Sequence, residues 1–560
     1  MRGLHRGVSR RRFLSGMAVV GAAPLISDDV AAWLQEPQQQ FTGDNFDEAH
    51  GFLRNPGLFT GTPRRDDTMY DVIVVGGGIS GLTVAHQLTR DHPSLRVALL
   101  ERERTTGGVA KSATWKGIEY ALGAAYIVDP DDGKDIQKYL FNLDLRAPKE
   151  NIGQLPGTPD KTKNRRIAGG EDHCLFTNRD VLAEDLVYSN QNVTFFQQGV
   201  LWGENYPAIP VEKPELVDRL DTISFLDMLA DTKLQLELFN QEVGPLSQRA
   251  REALEYYFWG AFGTSAVETS AYHGLNFFAA EFGHILMYPG GNAYIAKRIT
   301  ERIRPGVIRV GQYVLGIRRA ADGEHHEVLS YHDDALHQLR ARAVVFASPL
   351  FLAKRIVTDL DEDQIEALDS LEYHSYVVAN VLLNRRIDQV FADALMQSGY
   401  ELTHLNGIDV NRTPADEIST RSVFSDVVVA DFPKWRAPQY GVLTVYRPYP
   451  YAYGRDRLRY LSYSHIEDEV RRTVLEGFSH HGLLESDIAG IRLTRWGHPM
   501  LVPRPGQITS TGAVTRARQS RPGLYFAHTD TQGAPAFENA MAAAFQAIAD
   551  VRKQLKLRAP

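Results

Sequence analysis

The chain has 560 residues, of which 43% are hydrophobic, with 24 tyrosines and 25 phenylalanines. A chain of this length buries a large core and is expected to contain more than one domain. Its 61 basic and 69 acidic residues give a net charge of -8 without a basic stripe, so we expect no nucleic-acid partner. The single cysteine, Cys174, excludes an intramolecular disulfide and a cysteine-based metal cluster, and no metal site is predicted.

Residues 1–34 show the pattern of a twin-arginine export signal. Arg10 and Arg11 precede an apolar run over residues 15–26 that is rich in glycine and alanine. The run is too short for a permanent transmembrane helix. We therefore expect the twin-arginine translocase to export the protein to the periplasm or beyond; a basic tail before a short helix is the alternative. Residues 35–68 are polar and are interpreted as an N-terminal arm.

A glycine-rich segment follows the arm in the context of a dinucleotide-binding fold. Residues 71–75 are typical of a buried parallel strand, and a helix is predicted over residues 82–90. Between them, Gly76 permits a tight turn, Gly78 lets a pyrophosphate approach the backbone, and Gly81 brings helix and strand together. Ser80 belongs to the same motif, at a helix N-terminus that favours negative charge. This order of elements argues against a glycine-rich turn of another α/β fold.

A second predicted strand over residues 96–100 ends at Glu101, twenty positions after Gly81. A carboxylate at this place accepts a hydrogen bond from a ribose 2′-hydroxyl and repels a 2′-phosphate, so NADP is disfavoured. The fingerprint by itself does not choose between FAD and NAD.

The residues after Glu101 resemble the flavin amine oxidase superfamily. A glycine pair, Gly107 and Gly108, is followed by a strand and a small-residue turn at Gly123 and Ala124. The resemblance implies that FAD is the cofactor and that the glycine pair contacts its pyrophosphate. It also implies that the turn passes beside the isoalloxazine ring, where a larger side chain would collide with the flavin.

The resemblance recurs in the middle and at the end of the chain. Residues 307–318 and 342–349 resemble the paired strands of the adenine side, with the contact at Val314, for which an ordinary strand valine is the alternative. Residues 523–530 read as a strand that ends in Asp530, and residues 536–550 as an alanine-rich helix. In this superfamily the acid meets the ribityl chain or the pyrophosphate. The helix N-terminus, here near Asn539 and Ala540, stabilises negative charge at the flavin N1/O2 locus.

Further segments resemble bacterial spermidine dehydrogenases, namely residues 44–54, 108–111, 288–299, 443–457 and 494–499. The chain departs from the superfamily pattern at two positions. Val109 stands where many members have an arginine that contacts the FAD phosphate, so Lys111 becomes the candidate for that contact. Ala536, with Phe537 beside it, stands where many members place one aromatic wall of an amine-binding cage.

The predicted fold is α/β. It combines an FAD-binding Rossmann-like domain of the glutathione-reductase type, in its amine oxidase form, with an inserted α+β substrate domain. The FAD-binding domain is expected to comprise residues 69–129, 283–349 and 493–560, and the substrate or cap domain residues 130–282 and 350–492.

Trp496 and His498 are the catalytic candidates, because this superfamily places residues beside the substrate face of the flavin just before the last FAD strand. His498 is hypothesised to accept or relay a proton near neutral pH, and a structural histidine is the alternative. The aromatic groups over residues 256–259, 272–278 and 446–453 are interpreted either as pocket walls or, as is more common, as core residues.

The resemblance implies an oxidoreductase for a small-molecule substrate. It would transfer a hydride from a C–H bond, α to an amine in a polyamine-like substrate, to N5 of FAD. Oxygen or a respiratory carrier would then accept the electrons. Two alternatives remain open: a desaturase or protoporphyrinogen-oxidase-like enzyme that acts on a hydrophobic substrate, and a non-catalytic flavin-binding subunit for electron transfer.

Overall fold

The largest sheet is assembled from strands that lie far apart in the sequence. The computed structural model describes residues 41–43, 49–50, 59, 61–128, 130, 133–145, 166–167, 213–239, 258–281, 285–386, 393–395, 426–430, 439–449, 451, 454–478 and 482–558. The predicted export signal, most of the predicted arm and Cys174 lie outside these ranges.

The strands of the described residues are β1 (Arg64–Val75), β2 (Val97–Glu101), β3 (Ser112–Trp115), β4 (Ile118–Ala121), β5 (Tyr126–Val128), β6 (Arg166–Ile167), β7 (Ile285–Met287), β8 (Ile308–Val310), β9 (Tyr313–Arg319), β10 (His326–His332), β11 (Ala335–Phe346), β12 (Tyr373–Leu383), β13 (Asp393–Leu395), β14 (Asp426–Val429), β15 (Gly441–Tyr449), β16 (Ile488–Leu501) and β17 (Leu524–Phe526).

The α-helices are α1 (Ile79–Asp91), α2 (Asp135–Asn142), α3 (Pro214–Asp221), α4 (Phe225–Ala230), α5 (Thr232–Phe239), α6 (Ala271–Glu281), α7 (Ala293–Arg302), α8 (Ala353–Ile356), α9 (Glu362–Ser370), α10 (Gly454–Tyr460), α11 (Tyr463–Gly477), α12 (Ala513–Ala517) and α13 (Phe537–Leu555). Short 3₁₀ turns cover Leu350–Leu352, Glu485–Asp487 and Thr529–Gln532. Among the described residues, none of the helices is both long enough and apolar enough to cross a membrane.

The seven-stranded sheet has the order β8-β2-β1-β11-β10-β9, and β17 also pairs with β11. Strands β8, β2, β1, β11 and β17 pair in parallel, whereas β9, β10 and β11 pair antiparallel. The last four residues of β1, over 72–75, are all buried, which is typical of a parallel strand covered on both faces. The side chains of Val72 and Val74 enter one core cluster with α1, and those of Ile73 and Val75 enter another.

The structure corrects one predicted pairing. The segments 307–318 and 342–349 were expected to form paired strands, but β10 lies between β9 and β11 and pairs with both. A two-residue turn joins β10 to β11, and both of its residues, Asp333 and Asp334, have positive φ (47° and 58°). Aspartate tolerates this conformation, and such turns match the twist of a hairpin. The adjacent aspartates were the sequence signal for a hairpin, and thus for β10, which the sequence analysis did not predict.

The second large sheet is antiparallel, with the order β13-β14-β15-β12-β16. All residues of β12 are buried. Helix α11 covers one face of the strand, where its Ile466, Val470 and Val474 join the core with alternate β12 residues such as Val377 and Val381. The predicted domain boundary at residue 493 falls within β16. Both large sheets belong to one compact unit, Phe41–Pro560.

Candidate functional site

A cavity of about 1210 Å³ opens at the carboxyl ends of β1 and β2. Pockets for drug-sized ligands measure about 300–1,000 Å³, so this cavity has room for a dinucleotide and a small substrate. Most predicted site residues line it: Gly76, Gly78, Ser80, Glu101, Gly107, Gly108, Gly123, Ala124, Val314, Ala540, Trp496 and His498. Gly81, Lys111, Asp530 and Asn539 do not line it.

Two glycines hold the turn between β1 and α1. Gly76 has a φ of +111°, and a Cβ there would lie 2.5 Å from the carbonyl oxygen of Ala347. A Cβ at Gly81 would lie only 1.9 Å from the carbonyl oxygen of Gly76. The turn therefore depends on Gly76 for its backbone conformation and on Gly81 for the close approach of the helix.

A cradle for a phosphate group lies between the two glycine loops. Gly78 and Gly107 form an isolated parallel bridge. A Cβ at Gly78 would meet no atom closer than the Cα of Gly108, at 3.9 Å, so this space is open to a ligand. No side chain among the described residues caps the N-terminus of α1. The first backbone amides of the helix therefore remain available to bind a pyrophosphate. The site fits a dinucleotide cofactor in this respect.

Glu101 ends β2 inside the cavity and also organises the loops around it. Its Oε2 accepts a hydrogen bond from the Gly77 amide at 2.6 Å, and its Oε1 accepts one from the Glu103 amide at 2.7 Å. Burial raises the pKa of Glu101, and the two amide hydrogen bonds oppose that shift. Each carboxylate oxygen has a second lone pair for a ribose hydroxyl. At the same end of the cavity, Val314 lines the wall from β9.

The small-residue turn at Gly123 and Ala124 is held from two sides. A Cβ at Gly123 would lie 2.0 Å from the Val109 carbonyl oxygen, so only glycine fits. The indole Nε1 of Trp496 donates to the Leu122 carbonyl at 2.7 Å, and the hydroxyl of Tyr446 donates to the Gly123 carbonyl at 2.8 Å. Trp496 thus acts on the turn as a support, and its ring forms part of the cavity wall.

Helix α13 begins at Phe537, earlier than the predicted N-terminus near Asn539 and Ala540. The hydroxyl of Ser80 donates to the Ala540 carbonyl at 2.9 Å, which joins α1 to α13. Asn539 lies in the first turn of α13, and its side-chain amide donates to the Ala534 carbonyl at 2.9 Å, which holds the turn before the helix. No side chain among the described residues caps α13 at Ala536.

Lys111, the candidate for the phosphate contact, does not line the cavity. Its ammonium group forms an ion pair with Glu103 and donates to the Gly43 carbonyl at 3.2 Å. It also lies 5.6 Å from the centre of the Trp496 ring. These partners line the cavity themselves, so the ammonium group lies directly behind the cavity wall and its charge is paired with Glu103.

Asp530, which was predicted to meet the ribityl chain or the pyrophosphate, does not line the cavity either. Its carboxylate is buried and its Oδ2 accepts hydrogen bonds from the Leu350 amide at 2.9 Å and the Tyr373 hydroxyl at 2.8 Å. Its neighbours His528 and Thr529 line the cavity instead. The chain turns into a 3₁₀ segment directly after His528, and within that segment Asp530 lies behind the cavity lining.

His498 lines the cavity but is not suited to proton relay near neutral pH. Its ring stacks on Phe351, with 4.6 Å between ring centres. Burial, assisted by the charges of Arg455 and His50, lowers the pKa of His498 to about 3. The low pKa keeps the imidazole neutral under ordinary conditions, which does not favour the predicted relay near pH 7.

Other cavity residues were missed or left undecided by the sequence. Gly43, Ala49, His50 and Phe59 belong to the predicted arm and line the cavity. Away from the glycine loops, at what we call the substrate end, the lining includes Phe277, Tyr376, Tyr446, Tyr451, Arg455, Asp456, Arg459 and Arg495. Of the aromatic groups, Phe258, Trp259, Tyr272 and Tyr449 are buried core residues. Neither the alternation of residues along a strand nor their spacing along a helix distinguishes the aromatic residues that line the cavity from those that lie in the core. Among the described residues, no three metal-binding side chains converge on a metal site.

Comparisons with known proteins agree with this geometry. The family model described as flavin containing amine oxidoreductase matches residues 79–549. Oxidoreductase PigB of Serratia sp. is 21% identical over 535 residues, which cover 87% of this chain and 75% of PigB. (S)-6-hydroxynicotine oxidase of Paenarthrobacter nicotinovorans is 24% identical over 303 residues, which cover 52% of this chain and 62% of that protein.

Solved structures share the fold. Cyclohexylamine oxidase from Brevibacterium oxydans superposes with a TM-score of 0.56 and 15% identity, over 87% of this chain and 100% of that chain. Wild-type putrescine oxidase bound to putrescine gives a TM-score of 0.55 and 15% identity, over 88% and 100% of the two chains. The predicted α/β fold and the FAD cofactor are confirmed, and the protein is an FAD-dependent oxidoreductase. The chain belongs to the family of flavin-containing amine oxidoreductases.

Proposed function

We propose that this oxidoreductase removes a hydride from a C–H bond next to an amine nitrogen of a small-molecule substrate. FAD supplies the hydride-accepting N5 atom of its isoalloxazine ring. The observation that carries the proposal is the continuity of the cavity, which runs from the glycine loops past Gly123 and Ala124 into a pocket with aromatic walls. A substrate there lies against the turn that the resemblance assigns to the flavin.

The aromatic walls orient the substrate and exclude water. The hydroxyl of Tyr376 donates to the Trp259 carbonyl at 2.9 Å, and Tyr446 and Trp496 donate to carbonyls of the Leu122–Gly123 segment. Because the polar atoms are bound to backbone, the rings are held in place and offer their apolar surfaces to the cavity. Such walls favour a neutral or weakly solvated amine and hold the reacting C–H bond in position.

The charge at the substrate end favours the neutral form of the amine, which is the form that loses hydride. Arg455, Arg459 and Arg495 line this end, and Asp456 is exposed there. Among the described residues, Arg455 has neither a hydrogen bond nor an ion pair. A nearby positive charge lowers the pKa of a bound amine.

We expect Arg455→Gln to raise the pKa of the bound amine. The acidic limb of the kcat profile, which reports the enzyme–substrate complex, should move to higher pH by roughly half a unit to one unit. Arg459→Gln is the matched comparison, because its charge is already close to Asp456, with 3.9 Å between the charged atoms. A limb that stays in place in Arg455→Gln would show that this charge does not act on the substrate.

Polyamines are the substrate class that we propose, on the resemblance to spermidine dehydrogenases. The test is anaerobic mixing of the purified yellow protein with polyamines, monoamines, amino acids and porphyrinogens. We expect polyamines to bleach the flavin. Bleaching by other amines alone would retain amine oxidation and reject polyamines, whereas bleaching by porphyrinogens alone would reject amine oxidation. Admission of air then tests the proposed acceptor: rapid recovery of the yellow colour indicates oxygen, and slow recovery indicates a respiratory carrier.

We also propose that the protein is exported folded, with FAD bound, through the twin-arginine translocase. The support is the arginine pattern before an apolar run and the wide spacing of the cavity residues, which only a folded chain brings together. Arg10→Lys with Arg11→Lys should retain the protein in the cytoplasm, as measured by fractionation. The control is Arg2→Lys, outside the motif, which should be exported normally. Normal export of the double variant would reject the proposal.

A further inference from the structure

His528 occupies an unusual place in the cavity. It lies two residues after the end of β17, its side chain is 21% exposed, and it lines the cavity beside Thr529. The Thr529 hydroxyl donates to the carbonyls of Ala534 and Ala536, at 3.0 Å each, and so holds the turn that leads into α13. His528 is therefore fixed close to the N-terminus of that helix.

A buried carboxylate lies behind His528. Oδ1 of Asp530 lies 3.1 Å from the imidazole Nδ1 and has no other hydrogen-bond partner among the described residues, although the side chain is only 1% exposed. Burial would raise the pKa of Asp530, but the charge of His528 and hydrogen bonds from His528, the Leu350 amide and the Tyr373 hydroxyl lower it overall. The carboxylate is thus ionised and is held rigidly from its other side.

The hydrogen-bond pattern is compatible with three protonation forms of His528. In the neutral form with the proton on Nε2, Nδ1 accepts the backbone N–H of Asp530 at 3.2 Å. A proton on Nδ1 instead supplies the partner that Asp530 Oδ1 lacks, and Nε2 is then an acceptor in the neutral ring and a donor in the imidazolium. Between the Asp530 carboxylate and a second anion the imidazolium is the favoured form, because both negative charges stabilise it, and its Nε2 donates on the side of the ring that faces away from Asp530.

We propose that His528 Nε2 donates a hydrogen bond to a negatively charged group of the bound FAD, and that Asp530 is the residue that positions it. The chemistry that fits is an anionic oxygen or nitrogen. FAD has two such sources: the pyrophosphate, which is always charged, and the isoalloxazine ring after it has accepted hydride. The inference depends on FAD binding and is independent of the proposed amine substrate.

The test compares His528→Asn with the wild-type holoenzyme in two measurements, the Kd of oxidised FAD and the midpoint potential of the flavin. If the partner is the pyrophosphate, we expect the Kd to rise about tenfold, since a hydrogen bond to a charged group contributes about 1.5 kcal/mol. The potential should then change little. If the partner is the reduced ring, the potential should fall by about 30 mV, which is a tenfold change for a two-electron couple, with an unchanged Kd.

His325→Asn is the matched control, because His325 pairs with Asp322 at 2.7 Å in a surface turn and does not line the cavity. Asp530→Asn should shift the same quantity as His528→Asn, and the double variant should add little, since Asp530 acts through the imidazole. Should His528→Asn leave both quantities at control values, or should Asp530→Asn have its full effect without His528, the proposal is overturned. Flavin bleaching by amines is a separate measurement. A failure of the His528 proposal is therefore distinguishable from a failure of the proposed amine oxidation.

Discussion

Gly81→Ala should yield a protein that is isolated without FAD and is much less stable than the wild type. The new Cβ would lie 1.9 Å from the Gly76 carbonyl oxygen and 3.2 Å from the Ala347 Cβ. Helix α1 must then move away from the turn that forms the phosphate cradle. Overpacking of this kind costs about 1–3 kcal/mol or more, and the displaced amide groups no longer meet the pyrophosphate.

The measurements are flavin absorbance per polypeptide and thermal unfolding of the purified protein. Gly490→Ala is the matched control, because Gly490 lies in β16 with no atom within 4 Å of its added Cβ and without a positive φ. It should bind FAD as the wild type does. A Gly81→Ala protein that retains its full complement of FAD would contradict the structure of the turn.

Acid should destabilise the protein well before its carboxylates are protonated. Burial lowers the pKa of His86 to about 4, and burial lowers the pKa values of His273, His374 and His498 to about 3. In the unfolded chain these side chains bind protons near pH 6.5. Between roughly pH 6.5 and 4 the unfolded state therefore binds more protons than the folded state, and stability falls as the pH falls.

Each of these histidines contributes up to about 1.4 kcal/mol per pH unit to the slope of the free energy of unfolding against pH. Apparent Tm values of the holoenzyme between pH 7.5 and 5 measure this loss of stability. His273→Leu should flatten the fall, because the Nε2 atom of His273 is buried without a hydrogen-bond partner and its removal deletes one titration. His465→Leu, at an exposed position in α11, should leave the slope unchanged. A Tm that does not fall as the pH is lowered would contradict the buried, neutral state of these histidines.

The predicted elements agree best with the structure where backbone geometry is encoded locally. The predicted strand over 71–75 is the buried end of β1, and the helix predicted over 82–90 lies within α1. The strand predicted over 96–100 matches β2 within one residue at each end. Glycines at Gly76 and Gly81 carry a steric requirement that no other residue meets, so their roles are readable without a fold.

Roles that depend on a long side chain were less predictable. Lys111 was assigned to the phosphate from its place in the motif, but Glu103 binds its charge. Asp530 was assigned to the cofactor, but its carboxylate binds Tyr373 and the Leu350 amide, which are distant in sequence. A side chain chooses among all partners within its reach, and the sequence does not show which partners these are.

The sequence by itself determined the dinucleotide fold and the positions of its glycines, because sterics and local periodicity act between near neighbours in the chain. The FAD cofactor was implied by the resemblance to a family, and export through the twin-arginine translocase stays a prediction. Only the tertiary structure decided that His528 lies in the cavity with Asp530 behind it, that His498 is buried and neutral, and that guanidinium groups line the substrate end. These properties depend on burial and on charges from remote segments, which exist only after the chain has folded.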